Sequence, residues 1–193
     1  MDRSMTVPPL DAGTLDQERL DRGRLDRGRL VRALLVLVPL LLVVGGLIAR
    51  ASGSTEENLW YQSLTLPRLQ PPGPVFGIAW SILYTMIAVA AAIVWAKGRG
   101  VQRSQALGLF AIGMVVNWSW SPVFFLAHQI EAALAIILVM LGLAIWTTWR
   151  FAGVSRVAAG LMLPYIAWLI FAGGLNAAIW QLNPVASAMQ MGV

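Results

Sequence analysis

Residues 75–96 read VFGIAWSILYTMIAVAAAIVWA, an apolar run without a charged side chain that stops at Lys97. A helix needs about 20 such residues to cross the hydrocarbon core of a bilayer. The strict alternation expected of a barrel strand is missing. Working outward, four more stretches have the same character: about 31–49, 105–126, 132–149 and 157–181. The stretch at 132–149 is the shortest of them. Hydrophobic residues make up 58% of the chain and charged residues 12%, with a mean hydropathy of +0.70. A soluble domain carries about twice that charge, so this chain cannot clothe a water-facing surface. The expectation is an all-α integral membrane protein, a five-transmembrane-helix bundle that takes the lipid bilayer as its surroundings.

The charges between the runs set a direction. Arg19, Arg22, Arg24, Arg27, Arg29 and Arg32 precede the first run. Lys97, Arg99 and Arg103 follow the second, and Arg150 and Arg156 follow the fourth. The alternate links carry Arg50, Glu56, Glu57 and Arg68, then Glu131. Positive charge therefore recurs on one side, which predicts the N-terminus inside and the C-terminus outside. Residues 1–30 contain Leu20-Asp21-Arg22-Gly23-Arg24 followed by Leu25-Asp26-Arg27-Gly28-Arg29. That five-residue step keeps no helical face and reads as a disordered basic tail rather than a signal peptide. The membrane domain is expected at 31–183, with a short tail at 184–193.

Composition also excludes chemistry. The chain has no cysteine and one histidine, which removes thiolate and histidine-cluster metal sites and cysteine nucleophiles. The net charge of +5 is spread between apolar runs rather than gathered in one patch, so nucleic acid is not an expected partner. No carboxylate falls within a span, against a proton-coupled transporter. His128 and Glu131 read as a solvated turn.

Position sorts the nine tryptophans. Trp95, Trp118, Trp146, Trp149 and Trp180 lie toward the ends of runs, where indole rings collect at the membrane interface. Trp168 lies about 16 Å into the fifth run, at 1.5 Å per residue, too deep for a belt. Asn117 and Asn176 also stand inside apolar runs, where an amide must face protein or a cavity. Helical spacing groups Asn117 with Trp120 and Ser121, Trp168 with Ala172 and Asn176, and Trp80 with Tyr84. All fall in the outer half of the predicted bundle, under a 50–74 link that holds Trp60-Tyr61 and Pro67, Pro71, Pro72 and Pro74. Prolines stiffen that link, which then reads as a lid. Aromatic walls with a few polar anchors suit a flat apolar ligand. Small residues recur at Ala88, Ala92 and Ala96, and as Gly173/Ala177 and Gly174/Ala178, for close packing within the bundle or between subunits.

Three blocks carry a resemblance. They are Trp60-Tyr61-x-x-Leu64 with Pro67 and then Pro71-Pro72-Gly73-x-Val75-Phe76-Gly77-x-x-Trp80-x-x-Leu83-Tyr84; Asn117-x-x-Trp120-Ser121-Pro122-x-Phe124-Phe125; and Leu163-Pro164-Tyr165-x-x-Trp168-x-x-Phe171-Ala172-x-x-Leu175-Asn176-x-x-Ile179-Trp180-x-Leu182-Asn183. The chain resembles the TspO/MBR family (tryptophan-rich sensory protein, translocator protein, peripheral-type benzodiazepine receptor). The resemblance implies a five-helix bundle, often a homodimer, that binds porphyrin or haem-like tetrapyrroles as ligands and requires no cofactor. It carries ligand-binding roles over to Trp60, Tyr61, Pro71, Trp80, Tyr84, Asn117, Trp120, Trp168 and Ala172; Asn176 joins them from the spacing above. It links Trp80 and Trp168 to light-dependent porphyrin breakdown. For a bacterial chain it implies the cell membrane and a role in regulating tetrapyrrole or stress responses. Two departures stand out: Leu69 and Pro74 occupy positions where the family usually has tryptophan. The sterol pattern near the C-terminus is broken by Ala177 and Gln181, so sterol binding through it is expected to be weak or missing. The expected function is a receptor or sensor. The competing readings are a transporter, which discontinuous helices would favour although only Pro122 and Pro164 are noted as interruptions, and a weak porphyrin-degrading enzyme.

Overall fold

The structure is a computed structural model that describes residues 26–53, 58–184 and 186. Residues 1–25 of the expected tail, and most of the expected 184–193 tail, lie outside the described residues. Within them the regular elements are helices: α1 Arg27–Ala51, α2 Leu59–Ser63, α3 Gly73–Lys97, α4 Gly100–Phe125, α5 Ile130–Ala152 and α6 Arg156–Leu182. The five long ones have 25, 25, 26, 23 and 27 residues. At 1.5 Å per residue each reaches about 35–40 Å, past the roughly 30 Å of a hydrocarbon core. The five-helix expectation holds; four spans extend beyond their apolar runs at both ends, and α4 starts earlier but ends at Phe125, one residue short of its run.

The extensions have local causes. The boundary set at residue 30 falls inside α1, because Asp26 caps the helix four residues earlier. Its Oδ1 accepts from the Arg29 backbone N at 3.0 Å, and its Oδ2 pairs with Arg29 Nε at 3.4 Å. A carboxylate at a helix N-terminus satisfies an orphan N–H and faces the positive end of the dipole. At the start of α3, Pro74 occupies the first turn, where its lost N–H has no partner to miss. Pro39 also lies inside α1, so the interruptions number three among the long helices rather than the two noted from sequence.

The helices form a ring in the order α1, α3, α6, α5, α4. The closest associations are α5 with α6, α4 with α5, α1 with α3 and α3 with α6, and α4 closes the ring more sparsely on α1 and α3. Helix α3 is the most enclosed. Ile87, Ala88, Ala90, Ala91, Ala92 and Val94 on it are fully buried, as suits a helix apolar all round. The Ala88/Ala92/Ala96 stripe therefore serves packing inside the bundle. So does Gly173, where an added Cβ would stand 3.3 Å from Ile137 Cγ2; Gly174 faces open space. Leu35, Leu40, Ile112, Leu138, Ile145 and Ile170 are exposed. A skin of this kind is a liability in water and is at home in lipid.

Exposed Trp95, Trp146, Trp149 and Trp180 match the belt expectation. Trp118 does not: it is half-buried and packs on the main core. At the end away from the 52–72 loop, Arg103 stands over the Trp95 ring at 4.8 Å. There Arg150 reaches the side chain of Gln105, and Gln102 Nε2 donates to Gly153 O at 3.0 Å, tying α4 to the end of α5.

Candidate functional site

The aromatic residues singled out in the sequence gather into two clusters. The deeper one is built on α3, α4 and α6 around Asn117. Tyr84 Oη donates to Asn117 Oδ1 at 2.8 Å, and Asn117 Nδ2 donates to Tyr165 Oη at 3.0 Å. Asn117 is 5% exposed, so its amide is satisfied by protein where water is excluded. The Trp80 ring lies 5.2 Å from Tyr84, 6.3 Å from Tyr165 and 6.4 Å from Trp168. Phe76 meets Trp168 edge-on at 5.7 Å, and Phe171 lies 5.6 Å from it. Edge-to-face and tilted contacts at these distances are favoured by ring quadrupoles. Trp80, Tyr84, Asn117 and Trp168 thus converge as the spacing predicted.

The Trp168 indole is incomplete in one respect. Its Nε1, like that of Trp118, is buried and finds no acceptor among the described residues. A buried donor without a partner forfeits about 1–3 kcal/mol, which is a reason to look for a ligand that supplies the acceptor.

The second cluster lies at the loop end. Trp60 stacks on His128 with centroids 4.3 Å apart, and contacts Phe124 at 5.5 Å. Tyr61 packs on Phe124 and Phe125. Trp120 stacks on Phe124 at 5.2 Å and packs against both clusters, so it joins the two. Its Nε1 reaches Asn176 Oδ1 at 3.4 Å, while Asn176 Nδ2 donates to Ile130 O at 2.9 Å. Asn176 therefore belongs with the loop end rather than with Trp168. Ala172, one turn beyond Trp168, is half-buried. The His128–Glu131 turn is not simply solvated. His128 adopts a left-handed φ of 57° beneath Trp60, and Glu131 Oε1 accepts from Trp180 Nε1 at 2.8 Å.

The loop is fastened at both ends. Asn58 Oδ1 accepts from Tyr61 N at 3.0 Å, capping α2, while Asn58 Nδ2 donates to Phe125 O at 3.0 Å, an orphan carbonyl at the end of α4. Beyond α2, Thr65 N donates to Asn183 Oδ1 at 2.8 Å and Asn183 Nδ2 donates back to Thr65 O at 2.9 Å. Asn183 also bonds Ile179 O at 2.8 Å, which holds it on the end of α6. Beside the Thr65 fastening lies an open cleft of about 620 Å³ lined by Tyr61, Gln62, Leu66, Pro67, Gln70, Pro71, Pro72 and Gly73, none of them part of the deeper cluster. That size is ordinary for small-molecule sites. Gln70 Nε2 donates to Tyr61 Oη at 2.7 Å, and burial pushes the Tyr61 phenol up to about 12. Leu69 is 77% exposed and turns away from the cavity.

Phe76, Tyr165 and Asn183 stand in the quoted blocks without a site role, and Asn58 and Gln70 stand outside the blocks. Tyr165 was within reach, since it precedes Trp168 by three residues and so shares its helical face. Asn183 closes the third block, but its clasp is not readable there, because its partner is the backbone of a residue far away in the chain.

Against known proteins, the model described as the TspO/MBR family matches residues 35–181. The Translocator protein of Bos taurus is 36% identical over 144 residues, covering 74% of this chain and 85% of that protein. The Tryptophan-rich sensory protein of Cereibacter sphaeroides is 34% identical over 143 residues, covering 74% and 88%. Protein CrtK of Rhodobacter capsulatus is 35% identical over 129 residues, covering 65% and 79%.

Proposed function

This chain belongs to the TspO/MBR family of multi-pass integral membrane proteins, and we propose that it is a receptor and sensor for porphyrin or haem-like tetrapyrroles. The ligand enters through the loop end, rests on the Trp80/Trp168 rings and is covered by the Pro67–Gly73 segment. The observation that carries the reading is the buried Trp168 N–H with no acceptor, framed by Phe76, Trp80 and Phe171. Flat ligands with ring nitrogens or carboxylates would accept from that N–H and stack on the same rings. Asn117, held by two tyrosines, is a fixed anchor beside them. Trp60, Tyr61 and Pro71 act from the loop, Trp120 and Asn176 from beneath it, and Ala172 from the α6 wall. The basic end, with Lys97 and Arg103, lies inside the cell, and two copies pair in the membrane. Ligand occupancy is read by a partner that regulates tetrapyrrole or stress responses.

Titrating protoporphyrin IX against tryptophan fluorescence tests the reading. Saturable quenching that weakens in Trp168→Phe and Trp80→Phe supports it. No quenching, or equal quenching in both variants, rejects it. The 6.4 Å contact between Trp80 and Trp168 favours a second reading, light-dependent porphyrin breakdown. Product analysis in light and dark checks it, with product expected only in light and only with both tryptophans present.

A further inference from the structure

Glycine inside a helix weakens it relative to alanine, so a buried one asks for a reason. Helix α1 buries only Ala33, Leu41 and Gly45 among its described residues. A Cβ on Gly45 would stand 2.3 Å from Tyr84 Cε2, 2.9 Å from Cζ and 3.1 Å from Cδ2. Real atoms do not approach so closely. The neighbouring Gly46 has nothing within 4 Å of the same added atom. The backbone at Gly45 is ordinary helix, so the requirement is for space and not for an unusual φ.

The Tyr84 ring has little freedom to retreat. Its hydroxyl is held by Asn117 Oδ1 at 2.8 Å, and the Trp80 ring lies 5.2 Å away. A methyl group at residue 45 therefore drives the phenol off Asn117 or into the Trp80/Trp168 cluster. We infer that Gly45 is a positioning residue for the tetrapyrrole pocket: by lacking a side chain it seats the Tyr84 ring, which in turn aims Asn117. The role rests on the ligand reading above. It gives α1, which buries few of its described residues, a part in ligand binding.

The test compares the full chain in detergent with Gly45→Ala, Gly46→Ala, Tyr84→Leu and the Gly45→Ala/Tyr84→Leu pair. Protoporphyrin IX affinity is read by tryptophan quenching, well below each melting temperature, and thermal stability is read without ligand. Overpacking of this kind should weaken binding about tenfold in Gly45→Ala and lower its melting temperature. Gly46→Ala should bind and melt like the parent. On the Tyr84→Leu background the ring atoms are gone, so adding Gly45→Ala should change neither quantity. A loss of stability at Gly45→Ala with unchanged affinity would leave Gly45 a packing residue and overturn the inference. So would unchanged values in Gly45→Ala, or a loss that persists in full beside Tyr84→Leu. If the parent itself fails to bind porphyrin, the ligand reading falls, whereas the melting comparison still decides whether Gly45 seats Tyr84.

Discussion

The cluster around Asn117 and the cluster around Tyr61 use the same residue types, yet they are fastened differently. In the deeper one, side chains on α3, α4 and α6 bond to one another: Tyr84 to Asn117 and Asn117 to Tyr165. At the loop end, three asparagine amides bond to backbone. Asn58 takes Phe125 O, and Asn183 takes both groups of the exposed Thr65; Asn176, which takes Ile130 O, is 2% exposed and is sealed like the floor. Inside the hydrocarbon layer water cannot replace a lost partner, so each deeper bond is obligatory. At the Thr65–Asn183 clasp water can step in, and that fastening can open without leaving a group stranded. One region is a fixed floor and the other a cover able to loosen, which is the division of labour a ligand site under a lid needs.

Removing a partner from each region sharpens or breaks that contrast. The largest expected effect is at Asn117. Asn117→Leu strands the hydroxyls of Tyr84 and Tyr165, and should destabilise the chain by about 2–4 kcal/mol, since each unsatisfied buried group forfeits about 1–3 kcal/mol. A thermal melt followed by tryptophan fluorescence reads it. Asn183→Ala should lose only about 1 kcal/mol, while amide exchange across 59–70 speeds up and bound porphyrin leaves several-fold faster. Equal destabilisation by the two variants would erase the distinction between floor and cover.

The smallest effect is tied to pH. Burial raises the Tyr61 phenol from 10.0 to about 12, so the folded loop holds a proton that the unfolded chain has released. The contribution of Tyr61 is therefore complete below pH 10 and is lost as pH rises through about 12. The Tyr61→Phe difference in phenolate absorbance should show this titration near 12. A midpoint near 10 would mean that the ring is not enclosed by the loop.

Much of this was legible in the sequence, for reasons that differ by residue. The spans were readable because hydrocarbon demands unbroken apolar length, and their ends were short because Asp26 caps α1 and Pro74 suits a first turn, neither of which hydropathy reports. Asn117 and Trp168 announced themselves as the wrong residues for their depth. Tyr165 did not, because a tyrosine is common in packed apolar helices. Asn176 shared a helical line with Trp168 but sits two turns away at the loop end, since a line on a helix fixes a face and not a cluster. The Thr65–Asn183 clasp and the Gly45 seat were hidden, as one depends on backbone and the other on a missing side chain.

The central claim is that ligand meets the floor and not merely the cover. With the tryptophans labelled with nitrogen-15, each indole N–H gives its own signal, and Trp168 is assigned by its loss in Trp168→Phe. On adding protoporphyrin IX, the account predicts that the Trp168 signal moves farthest, with Trp80 next, as the N–H gains an acceptor under a porphyrin ring current, while Trp95, Trp146 and Trp149 stay in place. Movement confined to Trp60 or to those three exposed indoles, with Trp168 unmoved, would contradict it.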